Sequence, residues 1–392
     1  MQLPLSHLAR LTTPCYYYDT ALLQQTLSAI NREAAKHPAF RVHYAVKANA
    51  NPRILHLIAA AGLGADCVSG GEVATAVSHG FNPQQVVYAG VGKTDREIRT
   101  ALDLNIGCFN VESLPELDVI AELAASAGKV AHIAFRVNPN VDAHTHAKIT
   151  TGLSENKFGI APQQLVAAIR YAKTLPAIRF EGLHFHIGSQ IATMTPFKHL
   201  CERVNELQDA LEAEGISLSS INVGGGLGID YDAPMAHPIP DFKSYFETFA
   251  THLKLRPSQL VHFELGRSVV GQCGCLLATT LYVKEGLAKR FVIVDAGFTE
   301  LIRPAMYGAH HFTLNLTAET DQRAHDADAA SWKADIVGPI CESSDVFSTD
   351  ELLKPTHRGD VIAFLSAGAY GEVMASTYNC RTLPTAYFSD NI

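Results

Sequence analysis

The sequence predicts an α/β protein in two parts: a closed (β/α)8 barrel of the TIM type, and a second, all-β domain built from the C-terminal strands with one strand from the N-terminus. Three observations predict this. Between residues 42 and 265, short β-branched runs alternate eight times with longer amphipathic ones. After about residue 270 the helical texture stops and strands follow one another across turns. Finally, all eight strand ends in the first part carry polar, charged or glycine-rich groups, the place where barrels keep their chemistry.

In chain order, CYYYD at 15–19 precedes the barrel and is assigned to the β domain, so that residues 25–268 form the barrel and 1–24 with 269–392 form the β domain. Barrel strands are expected at 42–47, 64–68, 86–90, 107–111, 131–137, 180–186, 220–223 and 261–264. Between them, PRILHLIAAAG, TDREIRTALDL, PQQLVAAIRYAKTL and DFKSYFETFATHLKL repeat apolar residues at three- and four-residue intervals, the period of a helix with one buried face. An open doubly wound sheet is the alternative topology for the same alternation. CLLATTLYVKEG, RFVIVDAG, HFTLNL, WKADIVGPI, DVIAFLSAG and PTAYFS supply the later strands, and DQRAHDADAA at 321–330 reads as a polar loop.

Bulk properties remove several classes of function. A formal net charge of -8 without a basic run argues against a nucleic-acid partner. The N-terminal segment lacks an apolar core of signal length, and no stretch approaches the roughly 18 apolar residues of a membrane span. No membrane association and a cytoplasmic location are therefore expected. Eight cysteines, at 15, 67, 108, 201, 273, 275, 341 and 380, show no disulfide spacing and read as reduced thiols. Cys273 and Cys275 form a lone C-x-C pair, which is too little for a metal site, so none is expected.

Lys47 in HYAVKAN stands where the alternating run Val42, Tyr44, Val46 gives way to the polar turn Asn49, Asn51, Pro52. An amine at such a place loses its proton by desolvation and attacks carbonyl groups. A lone strand-end lysine is ordinarily just reaching for water. Here the other strand ends carry Asp66 and Ser69, Lys93, Asn110 and Glu112, Arg136 and Asn138, His186 and Ser189, the glycines of GGGLG at 224–228, and Glu264 with Arg267. An aromatic aldehyde phosphate would give many of these a task. The glycines offer unhindered N–H groups to an anion, Ser189 adds a hydroxyl, His186 stacks on a flat ring, and Glu264 holds a proton on a pyridine nitrogen. Two decoys fail: Ile229 occupies the last glycine position of G-x-G-x-x-G counted from Gly224, and Val87 stands where a Walker A loop ending in GVGKT needs its first glycine.

At these residues the sequence resembles the fold-type III pyridoxal-phosphate decarboxylases, which pair an alanine-racemase-like barrel with a β domain. The ordered set HYAVKAN, DCVSGGE, NKFGI, HFHIGS, NVGGGLG, ELGR, RPAMYGAHH, GPICESSD and GAYG spans essentially the whole chain. The resemblance implies pyridoxal 5'-phosphate as cofactor, joined to Lys47, stacked on His186 and faced at its ring nitrogen by Glu264, with Asp66 in the same site. Ser189, Gly224, Gly225, Gly226, Gly228, Gly266, Arg267 and Tyr370 would serve the cofactor, chiefly its phosphate. Leu265 stands where the family usually has proline.

The resemblance is closest to the branch acting on meso-2,6-diaminopimelate, which yields L-lysine and CO2 as the last step of lysine biosynthesis. Such a substrate presents a second amino acid group at its far end. Arg267 and Arg303 supply guanidinium forks for its carboxylate, Glu342 an acceptor for its ammonium, and Tyr307 and Tyr370 further polar contacts. Cys341 is implied as the proton donor, and a homodimer with shared active sites is implied because the Cys–Glu segment of this family serves the partner's site. Decarboxylases of carboxynorspermidine, ornithine or arginine are the alternatives; a racemase or a catalytically dead homologue fits less well, since Lys47 and Cys341 are both present. The long segment 144–159, with its two histidines, reads as a cover that excludes water rather than a metal site.

Overall fold

The computed structural model describes residues 8, 11–139, 157–320 and 331–391. Residues 144–156 of the cover expected at 144–159, and the polar loop at 321–330, lie outside the described residues. The chain divides into two compact units: Leu27–Gly228 with Asp241–Gly266, and Met1–Thr26 with Ile229–Pro240 and Arg267–Ile392.

Strand β1 is Cys15–Tyr18. The barrel strands follow as β2 (Phe40–Ala45), β3 (Gly64–Cys67), β4 (Val86–Tyr88), β5 (Cys108–Val111), β6 (Ala131–Arg136), β7 (Ile178–His184), β8 (Ser220–Asn222) and β9 (Leu260–Leu265). Neighbours pair in parallel, and β9 returns to β2 in the register Phe40↔Val261 to Tyr44↔Leu265, which closes the cylinder. Closure excludes the open-sheet alternative. Helices between the strands begin at side-chain caps: Asn51, Ser69, Thr94, Ser113 and Asp241 each accept a backbone N–H of the first turn. Thr94 and Glu97 complete a reciprocal capping box. Part of the polarity at the strand ends is therefore capping, and Ser69 belongs to that class.

Alternation along β9 shows how packing aims a functional group. Phe263 points outward into a ring cluster with Phe40, Tyr245, Phe246 and Phe249, at centroid distances of 4.8–5.7 Å. This fastens the helix Phe242–His252 to the barrel wall. Its neighbour Glu264 therefore faces the barrel interior, because successive strand residues face opposite ways. Leu265, at the position of the family's proline, is buried and continues the strand register opposite Tyr44.

The other unit is a mixed sheet. Its strands are β10 (Gly274–Glu285), β11 (Arg290–Val294), β12 (Thr313–Asn315), β13 (Trp332–Val337), β14 (Val346–Leu353), β15 (Val361–Phe364) and β16 (Thr385–Phe388). The order is β12-β15-β10-β11-β13-β14, and β1 pairs with both β10 and β16, so the sheet does take a strand from the N-terminus. Cys15, Tyr17, Cys275, Leu277, Val361 and Ala363 interlock in its core. Sequence periodicity missed β14, whose VFSTDELL has too few apolar residues to show an alternation. It also missed two short helices, Arg303–Tyr307 and Leu316–Thr320.

Two buried histidines and a half-buried one predict an acid-sensitive fold. His43 Nε2 meets His262 Nδ1 at 2.8 Å beside a cavity of about 470 Å³ at the amino ends of β2, β3 and β9. Burial holds the His262 imidazole down to about 3, His43 is lowered for the same reason, and His311 in the other unit is held down to about 3 by burial and by Arg303. An unfolded histidine titrates near 6.5, so between about pH 6.5 and 3 the unfolded chain binds protons that the folded chain refuses. Stability contributed by these groups is complete above pH 6.5 and is lost as the pH falls toward 3. In a His262→Asn variant, the drop in urea midpoint between pH 6.5 and 4 is expected to be shallower than in the parent; equal drops would refute this assignment.

Candidate active site

Strand β2 stops at Ala45, two residues earlier than expected, and Lys47 lies on a 3-10 turn, Val46–Ala48. The Tyr44 hydroxyl donates to the Asn49 carbonyl at 2.9 Å and fixes that turn. Likewise β7 ends at His184, so His186 and Ser189 belong to the following loop. That loop is stitched to the glycine segment: Ile191 N donates to Gly226 O at 2.9 Å and Gly228 N to Ile191 O at 3.0 Å. The two anion-binding candidates expected from sequence, Ser189 and the glycines, are thereby brought to one place.

Lys47, Asp66, Arg136, His184, His186 and Glu264 line one cavity of about 390 Å³ at the carboxyl ends of the strands. That volume is in the range of small-molecule pockets. Lys47 Nζ stands 4.0 Å from Asp66 Oδ2. Glu264 is buried and receives three donors: Asn222 Nδ2 at 2.7 Å and Asn110 Nδ2 at 3.3 Å on Oε1, and His184 Nε2 at 3.1 Å on Oε2. Burial pushes the Glu264 carboxyl up, but the hydrogen bond from His184 and the electrostatic influence of His184, His186 and Lys47 outweigh it and hold the group well below the usual carboxylate range. Asp66 goes the other way: burial, then the charge of Glu264, drive it well above its ordinary value despite Lys47. The environment thus pushes two interior carboxyls in opposite directions, favouring the charged form of Glu264 and the protonated form of Asp66.

His186 is held neutral, first by burial and then by Lys47 and Arg136, which lower it well below its ordinary value. Its Nδ1 accepts the Gly225 N–H at 3.4 Å, consistent with an uncharged ring and a flat apolar face. Arg136 donates to Glu112 at 2.8 Å, and Glu112 also takes the N–H groups of Gly90 and Gly159, tying three strand-end loops together. Lys93, a candidate from sequence, is instead consumed internally by Glu116 at 2.6 Å and the carbonyls of Gly90 and Asn110.

The cavity fits a flat, anionic aldehyde. Asp66 Oδ1 is buried and, among the described residues, has no hydrogen-bond partner. A side chain at Gly225 would meet the Glu264 carbonyl at 1.9 Å, and one at Gly224 the Phe185 carbonyl at 2.2 Å. Gly224 and Gly226 also need positive φ, 71° and 111°. Only bare backbone fits there, and bare backbone offers its N–H groups to a phosphate. Gly266 packs 3.1 Å, at the position of a side-chain carbon, from Ala45 and Ala48, which seats the lysine turn against β9.

The second unit holds the remaining candidates. Arg267 opens the helical turn Arg267–Val270 and Arg303 the helix Arg303–Tyr307. Both guanidiniums are buried. Arg267 Nη1 donates to the Tyr231 hydroxyl at 2.6 Å and its Cζ lies 4.9 Å from the Tyr370 ring. Cys341 is exposed, on a loop pinned by Asp345, which accepts the N–H groups of Ile340 and Phe298, both at 2.7 Å. Glu342 accepts the Tyr378 hydroxyl at 2.7 Å. Sequence reasoning missed His184 and Asn222, the clamps on Glu264. The first was legible as the residue two before His186 in HFH, and the second as the polar residue ending a strand just before VGGG.

Comparison with known proteins follows the same lines. Residues 23–271 match the family described as "Pyridoxal-dependent decarboxylase, pyridoxal binding domain". A diaminopimelate decarboxylase of Bacteroides thetaiotaomicron is 58% identical over 389 residues, 99% of this chain and 98% of that protein. One from Zymomonas mobilis is 40% identical over 377 residues, 96% of this chain and 87% of that protein. Among solved structures, diaminopimelate decarboxylase from Helicobacter pylori complexed with L-lysine is similar at a TM-score of 0.88 and 38% identity, covering 98% of this chain and 93% of that one.

Proposed function

This chain belongs to the diaminopimelate decarboxylase family of pyridoxal-dependent decarboxylases, and from that premise we propose that it converts meso-2,6-diaminopimelate to L-lysine and CO2. The observation that carries the reading is the division of labour in the barrel cavity, where a lysine amine, a neutral imidazole and a carboxylate held in its charged form line one space. Bound pyridoxal 5'-phosphate supplies an electron sink for the pair released when the carbon–carboxylate bond breaks.

The chain's own groups do the rest. Lys47 would hold the cofactor through its amine and would release it to the amine of the substrate. His186 gives the ring a flat neutral support, and Glu264 keeps a proton on the ring nitrogen. Ser189, the glycines at 224–226 and 228, Gly266 and Tyr370 hold the phosphate. Arg267, Arg303 and Tyr307 bind the far carboxylate of the substrate, and Glu342 its far ammonium. Cys341 returns a proton to the carbon that lost CO2; a thiol exposed on a pinned loop suits that task.

Two copies of the chain share their sites in this reading, Cys341 and Glu342 of each acting on the other's cofactor. All eight cysteines are free thiols, which supports a reducing, cytoplasmic setting. Among the described residues, no helix is long and apolar enough to cross a membrane. The test is CO2 release by the cofactor-loaded protein from meso-diaminopimelate, ornithine, arginine and carboxynorspermidine. Diaminopimelate is expected to have the highest kcat/KM; a higher value for ornithine would overturn the substrate assignment.

A further inference from the structure

Arg303 is 6% exposed, yet among the described residues it forms no ion pair. Buried charges are ordinarily compensated by an opposite charge. Here neutral groups stand in the place of carboxylates. Arg303 Nη1 donates to His311 Nε2 at 2.9 Å, and His311 Nδ1 lies 2.9 Å from the Leu365 carbonyl. A carbonyl only accepts, so Nδ1 carries the hydrogen and Nε2 the lone pair. The imidazole is neutral by geometry, because a protonated ring could not accept from a guanidinium.

Tyr231 completes the arrangement. Its hydroxyl accepts from Arg267 Nη1 at 2.6 Å, and its ring lies 5.9 Å from the Cζ of Arg267 and 5.0 Å from that of Arg303. The ring stands edge-on to His311, with centroids 5.4 Å apart and an interplanar angle of 84°. Its loop is rigidly held. Asp230 accepts the N–H groups of Asp232 and Ala233 at 2.9 and 2.8 Å, and Gln272 donates to the His237 carbonyl at 2.6 Å. A ring face attracts a guanidinium without cancelling its charge. One phenol therefore fixes the spacing of two cations that would otherwise repel each other or turn to the nearest carboxylate.

We propose that Tyr231 and His311 are the positioning residues that set specificity for a substrate bearing a carboxylate at its far end, by clamping Arg303 beside Arg267 while leaving the charge of Arg303 for that carboxylate to neutralise. This rests on the reading that the two arginines bind it. Had an acid held Arg303, the far carboxylate would have to displace it; the neutral cradle of His311 and Tyr231 removes that competition.

The test uses the cofactor-loaded enzyme, with KM and kcat for meso-diaminopimelate and inhibition by two competitors. L-Lysine keeps the far carboxylate and cadaverine lacks it. In Tyr231→Phe and His311→Leu, KM and the L-lysine inhibition constant are expected to rise about tenfold, the loss of one charge-assisted hydrogen bond. Cadaverine inhibition should be unaltered, and kcat should change far less than KM. His311→Gln retains an acceptor for Arg303 and should recover most of the loss. Arg303→Met serves as the reference: it raises KM, and adding Tyr231→Phe to it costs less than Tyr231→Phe costs alone. If Arg303→Met raises KM while Tyr231→Phe and His311→Leu do not, or if cadaverine binding weakens equally, the positioning role is wrong. If Arg303→Met itself leaves KM and L-lysine inhibition unchanged, the assignment of the arginines to the far carboxylate fails, and the cradle with it.

Discussion

Replacement of Lys47 by alanine is expected to lower CO2 release from meso-diaminopimelate by about four orders of magnitude or more, the scale on which removal of a covalent catalyst acts. The absorption band of the lysine-bound cofactor should vanish with it. Among the described residues, Lys47 has the cavity's one primary amine, since Lys93 is tied up by Glu116 and two carbonyls. No neighbour can substitute: Asp66 and Glu264 are carboxyls, and His184 donates to Glu264 at 3.1 Å. The fold should survive, because the side chain is 38% exposed on a turn rather than packed in the core, and the turn is fixed by Tyr44 and Asn49 instead. A circular dichroism melt separates the two effects. Retention of the band in the Lys47→Ala protein would place the covalent link on another residue and remove the basis of the cavity's interpretation.

How much of this was readable in the sequence depends on the range of the interactions involved. The eightfold alternation and the change of texture near residue 270 are local patterns, so the barrel and the β sheet were both expected, as was the N-terminal strand at 15–19. Lys47, Asp66, His186 and Glu264 were legible because each ends, or closely follows, a strand of one parallel barrel, and closure brings all such ends together. Strand-end polarity alone could not sort them. Ser69 turned out to cap a helix, Lys93 to satisfy buried carbonyls, and Glu112 to tie loops.

What stayed hidden depends on contacts distant in sequence. His184 and Asn222 reach Glu264 across 80 and 42 positions; local sequence marks them as polar strand-end residues but does not pair them with Glu264. Tyr231 and Arg303 are 72 residues apart by their numbers, and their pairing emerges only from tertiary structure. Strand β14 was missed for a different reason: its outward face is polar along much of its length, so the alternation that reveals a half-buried strand is weak.

Glu264→Gln should lower kcat by about a hundred- to a thousandfold, the range for losing one preorganised electrostatic partner of a reacting system, while leaving the lysine-bound cofactor band in place. The substitution preserves shape and removes charge. Its amide nitrogen would replace Oε2 and meet His184 Nε2, which now donates at 3.1 Å. His184 Nδ1 is buried without a partner among the described residues, so the imidazole can move its hydrogen there and accept from glutamine through Nε2. Asn110 and Asn222 keep their acceptor on Oε1. The site should therefore stay assembled and fill with cofactor, yet lack the negative charge that keeps the ring nitrogen protonated. Asp66 provides the internal control. Burial is the first cause of its raised value and the charge of Glu264 the second, so neutralising Glu264 makes Asp66 easier to ionise. If Asp66 were the true partner of the ring nitrogen, Glu264→Gln would leave kcat within a few-fold of the parent and Asp66→Asn would carry the large loss. The opposite ranking, with the band retained in both proteins, is the outcome the hydrogen bonds around Glu264 require.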